Sequence, residues 1–124
     1  DLDRAFEAAL LRQVDALMTV EDSLTVTHRA RIVDFAAKSR LPAIYGSREF
    51  VAAGGLMMYG ADLMALFRRS ATYVDRILKG AKPADLPIER PTKFELIINL
   101  RTAKALGLTI SSSLLLRADH VVEQ

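Results

Sequence analysis

The residues that close or follow three short apolar runs are the ones whose types could do chemistry on a small molecule: Glu21, Asp22 and Ser23, then Tyr45, Gly46, Ser47, Arg48 and Glu49, then Tyr59, Gly60 and Asp62. The runs are Ala16 to Val20, Ala43 to Tyr45, and Leu56 to Tyr59. A carboxylate receives an ammonium group, and a tyrosine offers a flat face with a hydroxyl that orients a ligand. Short apolar runs bounded by polar clusters read as buried strands. In open parallel sheets ligands bind outside the carboxyl ends of the strands, so the three runs are expected to bring these residues to one mouth. Each also has a plainer reading. Asp22 can serve as a turn former, and the tyrosines can pack at a sheet edge.

Other chemistries are missing. With no cysteine among 124 residues, disulfide scaffolds, thiolate zinc sites and cysteine nucleophiles are excluded. His28 and His120 lie far apart, both in segments expected to be surface helices, so neither a metal nor an acid–base pair is expected. There is no G-x-x-x-x-G-K-[ST] loop, no G-x-G-x-x-G fingerprint and no G-x-S-x-G elbow. No catalytic residue and no cofactor are therefore expected. Gly54-Gly55 with Gly60 forms a weak glycine cluster, which keeps open a standalone α/β nucleotide-binding or enzymatic domain as the alternative. The 17 Lys+Arg against 15 Asp+Glu give a net charge of +2, a weak field for polyanions. The arginines are scattered among carboxylates, so no nucleic-acid partner is expected. The uncharged stretch Phe50 to Ala61 falls short of the roughly 20 apolar residues that span a bilayer. The opening at Asp1, with no n-region or h-region, fits a piece of a longer protein.

The elements that must position the site follow from periodicity and punctuation. Asp1 to Gln13 reads as an amphipathic helix, and Ala16 to Val20 as a strand buried on both faces. Thr25 or Thr27 is expected to cap a second helix with Ile32, Val33, Phe35 and Ala36 inward. Leu41-Pro42 leads to the strand Ala43 to Tyr45, and Ser47 caps a short turn through Val51. Leu56 to Tyr59 is a third strand, and Asp62 caps a long helix that Lys79-Gly80 ends. Ala81 to Lys93, with three prolines, is an extended connector. Phe94 to Ile98 is a fourth strand, Asn99 caps a helix ending at Gly107, and Ser111 to Ser113 cap a last helix through Ala118. Strands alternating with helices predict an α/β fold: a mostly parallel sheet flanked by helices.

In order, these segments resemble the C-terminal portion of the ABC transporter substrate-binding proteins of the tryptophan and tyrosine type, a type I periplasmic-binding-protein fold. The likeness rests on Leu41-Pro42-Ala43-Ile44-Tyr45 with Arg48-Glu49-Phe50-Val51, and on Ala53-Gly54-Gly55-Leu56-Met57 with Tyr59-Gly60. It continues through Ile77-Leu78-Lys79-Gly80-Ala81-Lys82-Pro83, Pro91-Thr92-Lys93-Phe94-Glu95-Leu96 and Thr102-Ala103-Lys104-Ala105-Leu106-Gly107. The resemblance implies a secreted or lipid-anchored, periplasmic protein. Two α/β lobes would close over a small amino-acid-like solute and deliver it to a membrane permease. Residues 1–52 and 92–124 would belong to the second lobe, and 56–80 would hold a helix that packs on the first. With that lobe missing, an apolar face would be left open to a second copy of the chain. The cleft positions it implies are Asp22, Ser23, Tyr45, Glu49, Tyr59 and Gly60. Two departures from the family pattern are expected to matter. Met58 stands where a serine is common near the cleft, and Ser111-Ser112 where proline is usual. A sensory module of the same two-lobed fold is a further reading.

Overall fold

The computed structural model describes residues 1–123. Five strands form one sheet in the order β1(Leu17–Thr19), β2(Ala43–Tyr45), β3(Met57–Ala61), β4(Phe94–Asn99), β5(His120–Val122). β1, β2 and β3 run parallel, with Thr19 beside Tyr45 and Tyr45 beside Met58. β4 and β5 are parallel to each other. Asn99 at the end of β4 donates its N–H to the Leu56 carbonyl at the start of β3, so these two neighbours run in opposite directions. The fold is thus the mostly parallel α/β sheet that the alternation of elements predicts.

The chain divides into two compact units: Asp1–Gly60 together with Leu96 onward, and Ala61–Glu95. In the first unit, α1(Leu2–Leu11) and α3(Arg29–Lys38) cover one side of the β1–β2 edge. Phe6 stacks on Phe35 with ring centroids 4.2 Å apart, over a core of Ile32, Val33, Ala36, Ala43, Tyr45 and Phe50. Beneath α4(Arg48–Ala52), Val51, Met58 and Ile97 form a second cluster joined by Val122. α6(Leu100–Ala105) starts where the Asn99 side chain accepts the Thr102 N–H. In α7(Ser112–Leu115) Ser111 does the same for Leu114 at 3.3 Å, the cap expected of these serines.

The second unit is α5(Leu63–Leu78) and the strap that follows it, with one 3-10 turn at Pro83–Asp85. Asp62 caps α5 by accepting the Ala65 N–H at 3.0 Å. Gly80, at φ +105°, ends the run, a conformation that L side chains rarely adopt. The strap is fastened to α5 by two arms. Arg69 donates from Nε to Glu89 at 2.7 Å, and the Tyr73 hydroxyl donates to the Pro87 carbonyl at 2.7 Å. The Arg69 guanidinium also lies 5.7 Å from the Tyr73 ring centre. Helix and strap enclose a groove of about 1060 Å³ lined by Leu66, Val74, Ile77 and Ile88. No α5 residue is buried.

Four expectations need correction. β1 is not buried on both faces. Alternation sends Leu17 under the helices and Met18 to the other side, where it stays 77% exposed on an edge strand. The expected second helix is two helices, α2(Ser23–Thr27) and α3, and its cap is Asp22 rather than a threonine. Thr27 turns its hydroxyl back onto the Ser23 carbonyl, the i−4 bond that bends helices, and the chain breaks at His28. The tail expected to be helical holds β5, with the Leu96 N–H donating to the Asp119 carboxylate and the Asp119 N–H returning to the Leu96 carbonyl, both at 2.8 Å. The histidines therefore lie in neither expected helix: His28 joins α2 to α3 and His120 opens β5.

Candidate functional site

The register of β1, β2 and β3 puts Val20, Gly46 and Tyr59 at one edge of the sheet, as the parallel reading requires. The tips beyond them are flush. A Cβ on Gly46 would stand 3.1 Å from the Glu21 Cβ, and one on Gly60 would stand 2.3 Å from the Gly46 carbonyl oxygen. Only glycine at position 60 allows β2 and β3 to end so close together. Glu21, Gly46 and Gly60 therefore form a row, and Ser47 and Glu49 lead away from it into α4.

The predicted residues divide over this edge. Glu49 stands at the mouth, exposed, and accepts the hydroxyl proton of Ser47. That bond, a backbone N–H and the positive charges of Arg29 and Arg48 hold its carboxyl below the usual carboxylate range. Glu21 is its counterpart. Partial burial, and then the Glu49 charge, push the Glu21 carboxyl up, so the two carboxylates are within electrostatic reach. Tyr59, 56% exposed, and Gly60 lie at the same edge. Asp22 sits one residue further and is occupied by a capping box: it accepts the Thr25 N–H at 2.8 Å while its own N–H donates to Thr25 Oγ1 at 3.0 Å. Ser23 is exposed in the first turn of α2.

Tyr45 is a correction. Its side chain is 2% exposed and its ring stacks on Phe50 at 4.6 Å, so it belongs to the core rather than to the mouth. Burial pushes its hydroxyl up to about 12, which keeps it neutral. Met58 is also a core side chain, 2% exposed, and leaves no gap in the polar rim. Glu21 and Ser47 are members of this edge that the sequence places just after a strand but that are not among the cleft positions the family resemblance implies. Both stand within two residues of a strand end.

The glycine cluster has a packing explanation. A Cβ on Gly55 would stand 2.6 Å from the Tyr45 ring and 2.8 Å from the Phe50 carbonyl oxygen. The Gly54 and Gly55 N–H groups already donate to Val51 and Phe50 carbonyls, so the amides a phosphate loop would offer are spent on closing α4. Among the described residues no group of three His, Cys, Asp or Glu could hold a metal ion, and no helix is long and apolar enough to cross a membrane. The two carboxylates at this edge, Glu21 and Glu49, are the chemistry that receives an ammonium group.

A flush row of parallel strand ends is where open α/β sheets bind their ligands. Residues 1–122 match the family model of the ABC transporter substrate-binding proteins, and the chain belongs to that family. A tyrosine-binding protein of Clostridioides difficile is 27% identical over 101 residues, 82% of this chain and 29% of that protein. Among solved structures, a conserved domain protein from Vibrio cholerae superposes with a TM-score of 0.88 at 25% identity, covering 98% of this chain and 40% of its own. An ABC domain from Streptococcus pneumoniae in complex with L-Trp gives 0.84 at 29% identity, covering 92% and 39%. The chain thus spans 29% of the length of the protein relative and about 40% of the two solved chains.

Proposed function

We propose that this chain is the C-terminal portion of a two-lobed solute-binding protein of an ABC importer, working outside the cytoplasm and without catalysis. Residues 1–52 and 92–124 are its share of the second lobe, and 56–80 hold the helix that packs on the first. The solute is a small amino-acid-like molecule, polar or aromatic, held between the lobes and passed to a membrane permease. Closure follows from the ligand: a molecule that touches both lobes binds the closed form better and shifts the population toward it.

One observation carries this reading: the flush row Glu21, Gly46, Gly60 with Glu49 beside it. An ammonium fits two carboxylates of which one, Glu49, is held low and the other, Glu21, is pushed up by burial and then by the Glu49 charge, because the cation relieves their repulsion. Tyr59 supplies the exposed aromatic face, with Asp22 and Ser23 at the flank. The ligands in the names of the relatives, tyrosine and L-Trp, are both aromatic amino acids.

The test is calorimetric titration of the full-length protein with L-tyrosine and L-tryptophan. Binding of either is expected, and Glu49→Gln should weaken it about tenfold, the worth of one charge-assisted hydrogen bond. Unchanged affinity in that variant would remove the mouth from the reading.

A further inference from the structure

Ser47 precedes α4, where a serine hydroxyl ordinarily accepts a backbone N–H from the first turn. Here it makes no such bond, and the Phe50 N–H is left to the Ser47 carbonyl at 3.4 Å. The hydroxyl instead donates to Glu49 Oε2. Ser47 is 2% exposed, whereas Glu49 is exposed at the mouth. A buried, rigid donor is thus spent on orienting an exposed carboxylate, when the same hydroxyl could have closed the helix. An exposed glutamate without such a tie samples many rotamers, and a ligand would have to order it on binding.

We propose that Ser47 is a positioning residue, whose buried hydroxyl holds the Glu49 carboxylate in place to receive the ammonium of the ligand. This rests on the reading of the mouth as an amino-acid cleft. The charged groups around Glu49 are Glu21 beyond β1, Arg29 at the start of α3 and Arg48 on α4 itself. Both arginines favour its anion and Glu21 opposes it, while the Ser47 bond favours it most. Ser47 prepays the ordering of the receptor, so its effect falls on ligands that carry an ammonium and spares those that do not.

The experiment has two readouts on the full-length protein. The first is the titration midpoint of the Glu49 carboxyl, followed by carbon-13 NMR without ligand. The second is affinity for L-tryptophan and L-tyrosine against their analogues lacking the amino group, indole-3-propionate and 3-(4-hydroxyphenyl)propionate. Ser47→Ala is expected to raise the midpoint and weaken the amino acids about fivefold, leaving the analogues unchanged. Ser47→Thr, which keeps the hydroxyl, should restore both. In a Glu49→Gln background Ser47→Ala should add no further loss. An unmoved midpoint, equal weakening of amino acids and analogues, or additive losses would each overturn the proposal. If the wild-type protein binds neither amino acid yet its midpoint shifts in Ser47→Ala, the ammonium role and the ligand class fall together, and only the Ser47–Glu49 coupling stands.

Discussion

Two glycines do different work from the rest. Gly55 lets the Tyr45 ring and the end of α4 close on each other, and Gly60 lets β3 finish against the Gly46 carbonyl. Neither is there for a left-handed turn; each is there because a methyl group has no room. The contact at Gly60 is backbone, which cannot rotate away, so Gly60→Ala must push β3 from β2 at the mouth itself. Overpacking of this kind costs typically 1–3 kcal/mol. The variant is expected to lose about 2 kcal/mol in urea unfolding and to bind ligand more weakly than its stability loss explains. Gly107→Ala, with open space around the added methyl and only its φ of +73° to strain it, is the control and should bind as wild type. The side chain of Tyr45 shows what a single position hides. The sequence marks it as the last residue of a strand, but whether the ring points to the mouth or the core depends on which face α4 covers. That is set by Phe50, and nothing local to Tyr45 reveals it.

Elements whose signals are local were legible. α5 has a cap in Asp62, a stop at Gly80 and a continuous apolar stripe, and it forms where those signals place it. β2, pinned between Pro42 and Gly46, is found to the residue. β5 was not legible. Three residues have no stable partner until β4 is beside them, and the clamp that fixes them, Asp119 on Leu96, joins positions far apart in sequence. The strap is the element with an acid-sensitive fastening. Arg69, and to a lesser extent the Tyr73 hydroxyl, pull the Glu89 carboxyl down to about 2 from 4.5. A lowered folded-state value means that the contribution is complete above pH 4.5 and is lost as pH falls from there through about 2. The pair is solvent-exposed, so the effect on global stability is small and salt-sensitive. The expected signature is local: amide resonances of Leu86 and Ile88 shift with a midpoint near 2, and Arg69→Ala moves the Glu89 midpoint back toward 4.5. A wild-type midpoint at 4.5 would mean the clamp does not form in solution.

At the scale of the molecule, the apolar stripe of α5 stands open. Phe67 is 69% exposed and Leu78 81%, and Leu63, Val74 and Ile77 are exposed as well. An exposed apolar stripe of this extent marks a surface that another body covers. The isolated chain is therefore expected to associate, and sedimentation velocity should show species heavier than the 13.7 kDa monomer. Phe67→Glu with Leu78→Lys should return it to that mass. A monomer at high concentration without these changes would count against the open-face reading.

The second unit leaves the first at Gly60 and rejoins it at Leu96, and it does so between strands that are neighbours running in opposite directions. Topologically it is an insertion at the head of a hairpin. A tight turn in place of residues 62–93 keeps β3 and β4 whole, and the sheet order and the Glu49 rim are expected to survive it. The Glu49 rim is thus built by Asp1–Gly60 and the segment from Leu96 onward, and a shorter chain that lacks the apolar helix is expected to keep it.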